Sequence, residues 1–299
     1  MVIENIKIML GVARVPFLIL TPVCVLLGAS TVVFEGSKIV YHDLVLVLLL
    51  WLFAHISVNA LNEYYDFKSG LDFKTDATPF SGGSKTLPGN PKKAFLGLAV
   101  GAGSLVLSFL IGIYFIFTKG VLFLPVIMLG LIIVITYTNF ITRSPFLCLI
   151  APGLGFGPMM VMGTHFALTG SYSMLSFIVS LVPFFLVSDL LLLNQFPDVE
   201  ADKEAGRKHI LVVYGKAVSA RVFVLFLVCP FILMLIGYFT GYFPLKSLIG
   251  ILPVLLLVPI IKGVLANFKD NSRLIPYMGM NVILNIITPL LFAIGFFIS

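Results

Sequence analysis

The sequence predicts an all-α, multi-pass transmembrane bundle of about nine helices around a central cavity. Three observations carry this. Of the 299 residues, 60% are hydrophobic and 11% charged, far too little polar surface to cover a water-soluble globule. Apolar stretches of about 20 residues, enough for a helix to cross roughly 30 Å of hydrocarbon, recur along nearly the whole chain. These stretches are also too long and continuous for transmembrane strands, which show roughly ten-residue segments alternating apolar and polar.

In chain order the spans fall at 11–34, 43–64, 93–116, 120–139, 146–169, 173–195, 217–241, 245–266 and 273–298. The first follows Lys7 and Arg14 and closes on Gly28, Ala29 and Ser30, the outline of a signal peptide. Its length and the eight spans after it make it the first membrane helix. Cys24, Cys148 and Cys229 lie apart within apolar spans and read as small core residues rather than a disulfide framework or zinc site. Gly153, Gly155 and Gly157 also fall inside an apolar run, where glycine permits close helix packing. The 299 residues read as a single integral membrane domain.

With nine spans, the N-terminus and the loops after spans 2, 4, 6 and 8 share one side and hold 16 of the 19 Lys and Arg residues. Only Lys38, Lys119 and Lys246 fall on the other. The positive-inside rule places the N-terminus and the two long polar loops in the cytoplasm, the protein being integral to the cell membrane. That bias and attraction to anionic lipid head groups account for the net charge of +6 without nucleic acid; the sequence names no protein partner. Lys92 and Lys93 read as anchors at the lipid surface.

Most of the acidic residues sit in those two loops, at about 62–92 and 194–216. The first runs Asn62-Glu63-Tyr64-Tyr65-Asp66, then on through Asp72 to Ser81-Gly82-Gly83-Ser84-Lys85. The second runs Asn194-Gln195-Phe196-Pro197-Asp198, then through Asp202 to Arg207-Lys208. Both open with Asn, three residues and Asp at the end of an even-numbered span, which suggests an internal pseudo-repeat with its two copies on opposite walls of one cavity. On a helix, residues four apart share a face, so Asn62 and Asp66 point together, as do Asn194, Asp198 and Asp202. His55 and Asn59 extend the first stripe into the membrane, Gly70 ends the helix so that Asp72 returns to the site, and Pro197 loosens the second helix end.

Carboxylates and amide oxygens, with no sulfur and no paired histidines, are hard ligands of the kind that hold Mg2+ together with substrate phosphates. A membrane-buried cavity adds that the rest of the substrate is apolar. A polyprenyl diphosphate meets both demands.

These paired motifs resemble those of the UbiA superfamily of intramembrane aromatic prenyltransferases, in length and span number over the whole chain. Five residues separate Asp66 from Asp72, where the family often has three, and this is similar to the branch that prenylates 1,4-dihydroxy-2-naphthoate in menaquinone synthesis. The run from Asp198 to Arg207, with Ala205-Gly206, is similar to that branch too. The resemblance implies that Asn62, Asp66, Asp72, Asn194, Asp198 and Asp202 position two Mg2+ ions on the prenyl diphosphate. It further implies cations on the remaining phosphate charge, with Lys68, Lys85, Arg143, Arg207 and Lys208 as candidates and Arg14 shared between anchoring and the diphosphate. Many relatives carry arginine before the proline of the first loop; here Thr78 precedes Pro79, and Lys85 is the substitute. Tyr137 resembles a pocket tyrosine that, with Tyr64 and Tyr65 as further candidates, would shield an allylic cation. Asn59 is a further candidate for substrate contact.

Two other readings stay open. An ion-coupled transporter also uses repeats and broken helices, but would place its coupling site near the midplane rather than its carboxylates on one side. Prenyl transfer to geranylgeranylglyceryl phosphate or a tetrapyrrole would need the same metal site and a different acceptor pocket. Asp189, an ionisable residue inside span 6, is functional by default but stands outside the core site.

Overall fold

The computed structural model describes residues 2–299, and all regular structure among them is helical. Eight helices are long and apolar enough to cross a membrane: Val15–Phe34, Tyr41–Ser69, Pro91–Lys119, Pro145–Thr169, Met174–Asn194, Ile210–Phe239, Leu245–Asn267 and Asn271–Phe297. A shorter apolar helix, Val121–Thr136, makes the ninth among the described residues. These match the nine spans read from the sequence, because a chain in lipid satisfies its backbone groups within each segment.

The first span is shorter than expected. Helix α1 (Val2–Val12) is separate from α2 (Leu20–Phe34), which is entered through a tight turn at Val15–Ile19. Arg14 breaks the helix with a φ of 50°, and Pro16 follows it. Helix α1 buries Ile8 and Val12, and Glu4 pairs with Lys93 at 2.5 Å.

Helix α3 (Tyr41–Ser69) runs beyond residue 64 and stops at Gly70, whose φ of 81° suits glycine at a helix C-terminus. Asn62 and Asp66 therefore sit on the last turns of a continuous helix. Helix α4 (Phe95–Lys119) packs closely on it: a Cβ at Gly101 would meet the Leu61 side chain at 2.7 Å, and Ser57 Oγ donates to the Gly101 carbonyl at 2.8 Å.

Helix α5 (Leu124–Thr136) is followed by α6 (Pro145–Leu154), a widened stretch at Gly155–Met162 and α7 (Gly163–Thr169). Pro152 and Pro158, which lack an N–H, loosen this span where it borders the cavity. Gly153 and Gly157 lie directly on α8 (Met174–Asn194), where a Cβ would come within 2.2 Å of Phe184 O and 2.4 Å of Ser180 O. Short α9 (Val199–Glu204) leads to α10 (Ile210–Phe239), and tight turns at Leu245–Leu256 lead to α11 (Leu257–Asn267) and α12 (Asn271–Phe297).

One contiguous cluster of buried side chains joins these helices, among them Leu27, Leu50, Leu186, Phe223 and Phe292. Phe117, Phe239 and Leu255 remain 85%, 79% and 79% exposed, an outward apolar face that suits lipid and not water. Cys24, Cys148 and Cys229 are free thiols.

Candidate active site

A cavity of about 250 Å³ extends from the two polar segments into the bundle. Asn62, Asp66 and Asp72 line it from one side and Asn194, Asp198 and Asp202 from the other. Arg14, Arg207, Asn59 and Tyr137 also face it, while Trp51, Phe156, Met159 and Met160 supply apolar wall.

The first wall is tightly bonded. Asn62 Nδ2 donates to Asp66 Oδ2 at 3.0 Å and to Thr138 Oγ1 at 3.2 Å. Arg14 donates through Nη2 to Asn62 Oδ1 at 3.2 Å and through Nε to Glu63 Oε1 at 2.6 Å. Glu63, fully buried, also accepts from the Ser84 backbone N–H at 2.8 Å and from Ser84 Oγ at 2.7 Å. One carboxylate thus fixes both Arg14 and the glycine loop. Within that loop Gly82 and Gly83 have φ of 80° and 71°, and a Cβ at Gly83 would sit 2.7 Å from Asp72 Oδ1. Asn59 Nδ2 donates to the Ala13 carbonyl at 3.0 Å.

The second wall departs from the expected helical stripe. Helix α8 ends at Asn194, and the chain turns through Pro197 before α9 restarts beyond Asp198, so Asn194, Asp198 and Asp202 do not share one helix face. The turn still delivers all three to the cavity. Asp198 Oδ2 accepts the Gly82 N–H at 2.8 Å, joining the two walls. Arg207 joins them again, donating to Asp202 Oδ1 at 2.8 Å and through its other arm to Asp66 Oδ1. His209 Nε2 lies 2.9 Å from Asp202 Oδ2.

Four of the expected cations do not reach the cavity. Lys85 turns away and donates to the Asp72 and Thr75 backbone carbonyls, both at 2.6 Å, because its left-handed backbone, φ 56°, points it under the loop. Lys68, two residues past Asp66 and so on the opposite side of the helix, is exposed and lies over the Tyr64 ring. Arg143 and Lys208 are exposed outside the cavity lining, the latter held only by its backbone N–H on the Thr142 carbonyl. Tyr64 and Tyr65 pack on each other rather than lining the cavity.

Burial raises Asp72 to about 7, reinforced by the negative charges of Glu63 and Asp66. Burial likewise raises Asp198 to about 6, against the Gly82 N–H that favours its charged form. For Arg207 burial opposes the charge, but Asp66 and Asp202 outweigh it and raise its pKa.

Three buried oxygens on the two walls lack any hydrogen-bond partner: Asp72 Oδ2, Asn194 Oδ1 and Asp198 Oδ1. Unpaired buried acceptors beside one another are costly unless a donor or cation meets them. They are hard oxygens, and so they fit Mg2+. Among the described residues no three His, Cys, Asp or Glu side chains converge as one ligand set.

Glu63, His209 and the cavity-lining glycines carry positions that motif spacing did not single out. Glu63 lies 49 residues from Arg14, and His209 seven residues from Asp202; only the fold reveals either pairing. An acid beside a motif asparagine was the one signal for Glu63 in the sequence.

The fold and site define a helical membrane protein whose cavity joins an amide, carboxylate and guanidinium end to an apolar one. Residues 15–283 match the model of the UbiA prenyltransferase family, and the chain belongs to that family. It is 32% identical over 169 residues to 1,4-dihydroxy-2-naphthoate octaprenyltransferase of Bacillus subtilis (strain 168), an alignment covering 56% of this chain and 52% of that one. The chain thus spans about half the length of that curated relative. A solved structure of digeranylgeranylglyceryl phosphate synthase superimposes with a TM-score of 0.65 at 18% identity, covering 99% of this chain and 100% of the other. A UbiA homologue from Archaeoglobus fulgidus, solved with GPP and Mg2+, gives 0.59 at 16% identity over 95% and 99%. At these identities the structures establish the shared fold.

Proposed function

We propose that this protein transfers a polyprenyl group from a polyprenyl diphosphate to a 1,4-dihydroxy-2-naphthoate-like acceptor, with Mg2+ and with release of diphosphate. The whole chain acts as one catalytic domain, its N-terminus and both motif segments facing the cytoplasm. The carrying observation is the pair of walls that bring Asp72, Asn194 and Asp198 oxygens, unpartnered, to one cavity beside Arg14 and Arg207. The Bacillus subtilis relative supplies the acceptor class.

In this reading Asn62, Asp66, Asp72, Asn194, Asp198 and Asp202 hold two Mg2+ ions, which when bound offset the charge of the departing diphosphate. Arg14 and Arg207 meet the phosphate oxygens, held in place by Glu63 and by Asp66 and Asp202 respectively. Because these donors are already oriented, little reorganisation accompanies the C–O bond cleavage that leaves an allylic cation. Trp51, Phe156, Met159 and Met160 exclude water, and Tyr137 presents a ring toward the cationic fragment. The electron-rich acceptor ring then attacks the allylic carbon and regains its aromaticity by losing the proton, or the carboxylate as CO2, from the carbon that was prenylated.

Purified protein given geranylgeranyl diphosphate and 1,4-dihydroxy-2-naphthoate, with and without Mg2+, tests this by diphosphate release and mass analysis of the lipid product. The expected result is Mg2+-dependent release with a prenylated naphthol. Release only with a glycerol phosphate or tetrapyrrole acceptor would replace the pathway while keeping the mechanism. No metal-dependent turnover on any of these acceptors would overturn the enzyme reading.

A further inference from the structure

Asp189 lies in α8, five residues before Asn194, and is fully buried outside the cavity lining. Neither of its carboxyl oxygens closes a hydrogen bond. Helix α12 packs against α8 here, and its Asn281 and Asn285 side chains approach the carboxyl. No charged group acts on it. Asn281, Asn285 and Thr288 form one stripe of α12, since positions three and four apart share a helix face.

All three are at most 1% exposed. Asn281 Nδ2, Asn285 Oδ1 and Thr288 Oγ1 also lack partners, the stripe's one internal link being Asn285 Nδ2 donating to the Asn281 carbonyl and Oδ1 at 3.0 and 3.3 Å. The backbone adds an acceptor: Pro289 has no N–H to give to the Asn285 carbonyl four residues earlier. A buried carboxyl with two asparagine amides beside it therefore sits in the apolar interior, next to a helix stripe that also carries a buried hydroxyl and a released carbonyl.

We propose that Asp189, Asn281, Asn285 and Thr288 form a binding site for one monovalent metal cation of sodium's size. Charge selects the valence: the single carboxylate neutralises one positive charge, whereas a divalent ion would stay uncompensated in a medium where unbalanced charge is costly. Ligand type selects the ion, because carboxylate, carbonyl and hydroxyl oxygens suit hard cations. Placement gives it a role. The ion ties α8 to α12 a turn and a half from Asn194 and so steadies the helix end that carries the second motif. The site is independent of the diphosphate chemistry and is tested without substrate.

Thermal unfolding of the purified protein in detergent is measured in NaCl and in choline chloride at equal ionic strength, without Mg2+. The expected result is a saturable, sodium-specific rise in Tm of about 2–4 °C, absent in Asp189→Asn and retained in Asp198→Ala. Identical melting in the two salts would overturn the site and leave Asp189 a neutral carboxyl latched between two asparagines. A sodium effect lost in Asp198→Ala but kept in Asp189→Asn would overturn it too, placing the ion in the cavity. If Asp189→Asn fails to fold, 22Na+ binding to Asp198→Ala decides: one equivalent supports the site, and none overturns it.

Discussion

The two walls of the cavity carry the same Asn-x3-Asp spacing on different backbones. On α3 the pair sits on successive turns of an unbroken helix and is closed on itself by the Asn62 to Asp66 hydrogen bond. On the opposite wall the helix stops at Asn194, and Asp198 stands at the start of α9. There Asn194 Oδ1 and Asp198 Oδ1 are both unpartnered. One spacing has thus produced a pair bonded within the protein on one wall and a pair with unpartnered cavity-lining acceptors on the other. Loss of Asn62 or Asp66 should therefore show in stability as well as activity, and loss of Asn194 or Asp198 mainly in activity.

Asp66→Ala and Asp198→Ala test that division with the largest effects. Each should lower prenyl transfer by about 10²–10³-fold, the scale of removing an oriented electrostatic group, read as product formed per unit time. Their melting temperatures should differ. Asp66→Ala takes from Arg207 one of its two carboxylates and from Asn62 an acceptor and melts early, whereas Asp198→Ala, which gives up only the Gly82 contact, melts close to the parent. Equal destabilisation would break the comparison.

Arg207 spans both walls, so Arg207→Ala sharpens it. Removing one partner of a buried ion pair costs about 3–5 kcal/mol, and here two carboxylates lose their cation, which thermal unfolding should register. Arg207→Lys should recover only part of this, because one ammonium cannot reach Asp66 and Asp202 with the two arms of a planar fork.

The pH response separates the walls more finely. Asp72 titrates near about 7 and Asp198 near about 6, each above the ordinary carboxylate value of about 3.9. Such a group binds its proton more tightly folded than unfolded. Its stabilising contribution is present below about 4 and lost as pH rises through 6 for Asp198 and 7 for Asp72. Without metal, the protein should therefore melt at lower temperature at pH 8 than at pH 5. Mg2+ with diphosphate should reverse the order, since deprotonated carboxylates are the ligands, and transfer should rise across that same interval. A flat profile would show that neither acid changes charge on binding.

How much of this was legible in the sequence follows from what each feature depends on. The spans were readable because lipid tolerates only long apolar helices, and the nine read from sequence match the eight long helices and one short one. Asn62, Asp66, Asp72, Asn194, Asp198 and Asp202 were readable as a set because carboxylate and amide side chains stand out on an apolar background, and all six line one cavity. The broken helix after Asn194 was only half legible: Pro197 signalled it, but the four-residue spacing argued for continuity. The cations were read worst. Lys68, Arg143 and Lys208 were named for proximity in sequence, yet where a long side chain points depends on tertiary partners. Arg207 reaches the site because Asp66, 141 residues away, accepts from it. Glu63 was missed for the same reason.

Lys85 gives the smallest expected effect and the most direct check on that lesson. Its ammonium is engaged by the Asp72 carbonyl, the Thr75 carbonyl and Thr75 Oγ1, at 2.6, 2.6 and 2.7 Å, so it holds the loop behind Asp72 rather than the diphosphate. Lys85→Ala should leave Asp66, Asp198 and Arg207 in place and raise the KM for diphosphate by less than about tenfold, the equivalent of one lost charged hydrogen bond acting at second hand. Lys85→Met, which keeps much of the stem and removes the charge, should do the same. A loss as large as that of Asp198→Ala would mean that Lys85 swings into the cavity when substrate binds. The first wall would then supply a mobile cation and would no longer be the rigid partner of the two.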